Sequence, residues 1–159
     1  MKKQVTKISG MIIALSLVVF TMSGCGGSKT AITGDTFMEK LAEKGYKVTQ
    51  IDSATVLGDD LNAYYTATTS DGSSSIRFMV AKDQDGAQKH YESDKSGYES
   101  YKPSDVSEKK GQNYIKYEAK VDSQRTYIDM TRVDNTYLSA IADQSKKDDF
   151  DNLLDELGY

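Results

Sequence analysis

The residues best spaced for chemistry lie near the middle of the chain. Asp83, Asp85, Gly86 and Glu92 stand at positions 3, 5, 6 and 12 of an EF-hand calcium loop, whose oxygen ligands wrap one hard cation. Position 1, which should be Asp, is Ala81. With that ligand missing and a strand leading in, the segment is expected to be an acidic helix N-terminus, where carboxylates meet the positive end of the peptide dipoles. His90, the single histidine, sits beside Tyr91 and Glu92. A general base needs a nucleophile or substrate proton within reach, and without one a surface histidine is expected. No G-x-S-x-G elbow, H-E-x-x-H, C-x-x-C or P-loop occurs after residue 24. Paired carboxylates could act on glycans, but Asp and Glu are scattered through predicted loops and helix faces, where solubility accounts for them. No catalytic residue, metal ligand or cofactor is assigned.

Eleven tyrosines and no tryptophan make the most unusual count. Tyr64 and Tyr65 point to opposite faces of one strand, so one of them is expected outside the core. Tyr64, Tyr65, Tyr117 and Tyr127 are therefore candidates for a binding surface, since an exposed ring offers area and a hydroxyl at low entropy cost. The competing reading is cross-strand packing with the hydroxyl at the rim.

Three helices must position these groups. Thr36 to Lys44 has capping-box spacing at Thr36 and Glu39, an apolar face of Phe37, Met38, Leu41 and Ala42, and Gly45 as a stop. Asp83 to about Tyr101 is a second, weaker helix with Ala87, Tyr91 and Tyr98 near one face. The last starts at Ser145 and carries Phe150, Leu153, Leu154 and Leu157 up to Gly158. Between them, Tyr46 to Ile51 begins extended chain, and Leu61 to Thr69 with Ile76 to Val80 reads as a hairpin around Asp71-Gly72. Pro103 to Gly111 reads as a charged loop. Tyr114 to Val121, Thr126 to Val133 and Tyr137 to Ala142 read as an antiparallel meander. The expectation is an α+β fold of two layers: a mostly antiparallel sheet of about six strands with helices on one face, in the order α-βββ-α-βββ-α. Phe37, Leu41, Gly45 and Tyr46 align with Phe150, Leu154, Gly158 and Tyr159, which leaves a duplication open.

Composition bounds the function. The chain has 159 residues, enough for one domain. One Cys forms no intramolecular disulfide, and one Cys with one His builds no structural zinc site. A net charge of −4 and a pI near 5.0 remove the basic face that nucleic acid requires.

The first 24 residues differ from the rest. Lys2, Lys3 and Lys7 precede an apolar run from Met11 to Phe20, and Met22, Ser23 and Gly24 lead to Cys25. About ten apolar residues fall short of the roughly 20 that a membrane-spanning helix needs, so this reads as an export signal. The segment resembles a bacterial lipoprotein precursor, with Met22 where that family usually carries Leu. The resemblance covers residues 1 to 25. It implies cleavage between Gly24 and Cys25, and diacylglycerol on the Cys25 sulfur. Losing Lys2, Lys3 and Lys7 leaves 17 basic against 24 acidic side chains, a net charge of −7, so lipid rather than a basic face would hold the protein at a membrane.

Residues 25–32 are then expected to be the lipidated Cys and a flexible tether, and 33–159 a single globular domain. The expected function is a non-enzymatic lipoprotein on the extracytoplasmic face of a cell membrane, with the style of the leader pointing to a Gram-positive surface. Its domain would bind a protein or peptide partner in the envelope. Alternatives are a small-ligand binder with a pocket between sheet and helices, and an envelope hydrolase without a recognisable motif.

Overall fold

Runs of about eight residues with branched and aromatic side chains on both faces assemble into a single antiparallel sheet. The computed structural model describes residues 27–51 and 60–159. Within them the strands are β1 (Lys47–Ile51), β2 (Leu61–Thr68), β3 (Ser74–Ala81), β4 (Ser104–Lys110), β5 (Tyr114–Val121), β6 (Thr126–Val133) and β7 (Thr136–Asp143). Their order across the sheet is β1-β2-β3-β7-β6-β5-β4. Three helices accompany them: α1 (Gly34–Glu43), α2 (Gln84–Glu99) and α3 (Lys147–Leu157). The α+β class and the antiparallel sheet are as expected. The strand count is seven rather than about six, because Ser104–Lys110, read as a charged loop, pairs with β5 as an outer strand.

Helix ends follow local chemistry. Thr33 caps α1, its hydroxyl accepting from the Thr36 amide at 3.2 Å, so the helix starts before the Thr36 that the capping-box spacing suggested. At the other end Gly45, at φ +82°, lets the Tyr46 amide reach the Leu41 carbonyl and its own amide reach the Ala42 carbonyl. Gly158, at φ +86°, closes α3 by the same two bonds, to Asp155 from its own amide and to Leu154 from Tyr159. Both are left-handed closures that only glycine adopts without strain.

The helices do not share a face. α1 and α3 cover one side of the sheet, where Phe37, Leu41, Phe150, Leu154 and Leu157 meet Tyr65, Phe78, Leu138 and Ala140. Phe37 stacks on Phe78 with ring centroids 4.9 Å apart, and Tyr159 meets Phe78 edge-on. α2 lies on the opposite side, placing Ala87 and Tyr91 on Tyr64, Met79, Tyr117, Met130 and Tyr137. The two-layer expectation with helices on one face is therefore corrected to helix, sheet, helix. The cause is in the central strands, where β6 and β7 bury nearly every residue and so need cover on both sides.

The two ends of the sheet are distinct. One carries the Gly111–Asn113 and Asp134–Asn135 turns, the start of α2 and the close of α3. The other carries the Thr69–Ser73 turn, the Asp122–Arg125 turn and the start of α3.

Candidate functional site

The tyrosines proposed as a surface are all inside. Tyr64 and Tyr65 are 8% and 6% exposed, Tyr117 and Tyr127 0% and 1%. Tyr65 lies beneath the first turn of α1, where a Cβ at Gly34 would collide with its ring. Tyr64 is covered from the other side by the α2 cluster, which is how adjacent residues on opposite faces are both buried. Tyr117 has the Lys95 ammonium 5.5 Å from its ring centroid, and its hydroxyl is buried with no hydrogen-bond partner. Tyr127 has Lys147 4.7 Å over its ring and donates to Glu118 Oε1 at 3.2 Å. These rings cement layers together and offer no exposed platform.

The mid-chain acidic residues behave as a helix start. Asp83 caps α2, its carboxylate accepting from the Gly86 amide at 2.8 Å. His90 is half-buried on the same helix.

The carboxylates that do converge are others. On the α3 side of β5 and β6, Glu118 pairs across strands with Asp129, and Asp151 of α3 comes down over them. One oxygen from each lies within 4.8 Å of the others. Lys116 stands between, its Nζ 2.9 Å from Asp129 Oδ2 and 3.6 Å from Glu118 Oε1. Thr131 donates to Asp129 Oδ1 at 3.1 Å. Lys147 pairs with Asp151 one helical turn away. Burial pushes the Asp129 carboxyl up, the Lys116 charge and hydrogen bond pull it down, and the Glu118 charge adds to the upward side, which prevails. For Lys116 burial works downward, but the charges of Asp129 and Glu118 carry its ammonium above the usual range.

Three clustered carboxylates are the donor set a hard cation prefers. Here Lys116 pairs with Asp129 and Glu118, Lys147 pairs with Asp151, and Asp129 is wholly buried, so the three carboxylates are held in a network of ion pairs. The sequence offered one signal for it, the charged residues Lys116, Glu118 and Asp129 within strands that also carry the core residues Tyr117, Ala119, Ile128 and Met130.

A second polar cluster pins α2 to the sheet. Asp94 Oδ2 accepts from Arg77 Nη2 and from the Tyr137 hydroxyl, both at 2.7 Å, and Arg77 also donates to Ser139 at 3.0 Å. Ser107 and Lys110 have the serine–lysine spacing of some hydrolases. On β4 they register with Glu118 and Ile115, residues of opposite faces, so the hydroxyl and the amine do not meet.

An open cleft of about 320 Å³ lies at the far end of the sheet, lined by Lys44, Tyr46, Ser70, Asp71, Lys146 and Asp149 among others. The space between sheet and helices, where a ligand pocket was the alternative expectation, is filled by Phe37, Phe78 and Tyr159.

The chain ahead of α1 is anchored to the domain. The Gly27 carbonyl accepts from the Gln112 amide at 3.3 Å. The Lys29 amide donates to Asn113 Oδ1 at 3.0 Å, and Asn113 Nδ2 returns a bond to the Lys29 carbonyl at 2.9 Å. Lys29 Nζ reaches the Gly158 carbonyl at 3.2 Å, where α3 presents its negative end. Ala31 and Ile32 pack on the core. From Gly27 onward the expected flexible tether is thus an ordered strap. Residues 1–24, Cys25 and the Gly24–Cys25 junction lie outside the described residues. No helix among the described residues is long and apolar enough to cross a membrane.

Comparison of the chain with protein-family models, curated proteins and solved structures finds no match.

Proposed function

We propose that the protein is a lipid-anchored lipoprotein on the extracytoplasmic face of a cell membrane, and that its domain binds a protein or peptide partner without catalysing a reaction. The observation that carries this reading is the leader: three lysines, a ten-residue apolar run, then small residues directly before the only cysteine. Two acyl chains on Cys25 anchor stably where one does not, each buried CH₂ contributing about 0.8 kcal/mol.

For the partner, support comes from the surface that remains once the tyrosines are accounted for. Tyr101 and Val106, each 53% exposed, are the large apolar side chains left open among the described residues. Tyr101 lies three residues before β4 and Val106 is the third residue of that strand.

Replacing Cys25 by Ala tests the anchor. The wild type should fractionate with membranes and the variant should not, and mass spectrometry should find a lipid on residue 25 of the wild type; a bare thiol or an uncut leader would overturn the reading. Crosslinking in intact cells tests the partner. One envelope protein should be captured repeatedly and lost with Val106→Lys, whereas recovery of the chain alone speaks against a partner.

A further inference from the structure

We infer that the strap from Gly27 to Ile32 fixes the domain's orientation on the bilayer, holding the end of the sheet with the Gly111–Asn113 and Asp134–Asn135 turns against the lipid. This rests on the lipid-anchor reading of Cys25. It adds what a lipid alone does not supply, a defined membrane-facing surface.

The argument is one of chain length. Cys25 is two residues from Gly27, so their Cα atoms are at most about 7.6 Å apart. Gly27 is bonded to the 111–113 turn through Gln112. Lys29 is bonded in both directions by the side chain of Asn113, much as by a neighbouring strand. Asn113 is itself braced, donating to Asp134 Oδ2 at 2.8 Å while its carbonyl accepts from the Asp134 amide at 2.9 Å. Gly111 permits the close approach, since a Cβ there would strike the Gly27 carbonyl and the Tyr114 ring. The acyl chains would therefore emerge within about a nanometre of this end. Eight-residue strands at about 3.3 Å per residue put the opposite turns roughly 25 Å further out. A free eight-residue tether would instead span about 16 Å on average and let the domain turn. With a mature charge of −7, attraction to anionic lipid is not what sets the orientation, so the orientation should not depend on salt.

The test uses the full chain, processed and lipidated in cells and reconstituted into phosphatidylcholine vesicles with a headgroup-bound energy acceptor. Cys25 is the only natural cysteine and its sulfur is consumed by lipid, so a donor dye can be placed through Gln112→Cys at the near end or Ser123→Cys at the far end; both positions are exposed. Transfer from residue 112 should exceed that from residue 123 several-fold, in low and high salt alike. Adding Asn113→Ala, which opens the strap, should bring the two values together. Equal transfer from both positions on vesicle-bound protein overturns the orientation and leaves the anchor standing. An undiminished difference in the Asn113→Ala protein overturns the strap as its cause. Protein that does not sediment with vesicles overturns the anchor reading, and the orientation with it.

Discussion

The hydroxyls of Tyr159 and Thr136 lie 2.5 Å apart in the buried interior. Thr136 spends its one proton on the Val133 carbonyl at 2.7 Å, so Tyr159 is the donor between them. Burial pushes the Tyr159 phenol up to about 12. Tyr159 thus closes one core, against Phe78 and beneath the strap. Tyr159→Phe should cost about 1 kcal/mol, one hydrogen bond, whereas Tyr159→Ala should cost about 3 to 5 kcal/mol because the ring also leaves. Urea unfolding measures both, and equal losses would show that the ring is not core.

Asp94 is the acceptor that joins α2 to β3 and β7. Asp94→Asn keeps its size but leaves Arg77 without its counter-charge, and stability should fall by about 2 kcal/mol. Glu99, more than half exposed and 3.9 Å from Lys95, is the contrast: Glu99→Gln should change stability by less than about 0.5 kcal/mol. Thermal unfolding of the two variants side by side decides whether the Arg77 network or general surface charge secures α2.

Lys116 holds two carboxylates together. Lys116→Met leaves Asp129 buried and unpaired, with an expected loss of about 3 to 5 kcal/mol at neutral pH. Asp129→Asn in that background should recover part of it, with a coupling of about 0.5 to 3 kcal/mol in a double-mutant cycle. Additive losses would mean the two side chains do not act as a pair.

Asp71 ties the β2–β3 turn. The Ser73 amide, then the Thr69 and Ser73 hydroxyls, bring its carboxyl down from 3.8 to about 2. A folded-state value below the unfolded one means the contribution is complete above pH 3.8 and is lost as pH falls toward 2. Asp71→Asn should therefore lower stability at neutral pH and make the decline over that interval shallower. An unchanged acid limb in a pH series of urea melts would remove Asp71 from this role.

Periodicity made much of this fold legible. Phe37 and Leu41 before Gly45, and Phe150, Leu154 and Leu157 before Gly158, announce α1 and α3, and Asp71-Gly72 announces the hairpin. β4 was hidden because Ser-Asp-Val-Ser-Glu-Lys-Lys has no buried face; it is an outer strand held by backbone bonds to β5. The placement of α2 was hidden by its weak stripe, although the complementary signal was present in the sheet. Paired apolar neighbours such as Tyr64-Tyr65 and Phe78-Met79 demand cover on both faces, and the same demand buries the tyrosines. The carboxylates of Glu118, Asp129 and Asp151 converge only through strand register and helix docking, long-range facts that spacing along the chain does not encode.

β4 also guards one edge of the sheet. Asp105 takes a left-handed backbone at φ 47°, the register slips between Ser104 and Ser107, and Lys109 and Lys110 extend into water, 65% and 67% exposed. An incoming strand would find a bent border studded with the charged side chains Asp105, Glu108, Lys109 and Lys110 in place of a flat row of amides and carbonyls. Molecules crowded shoulder to shoulder would therefore stay separate instead of zipping along this margin into a growing ribbon.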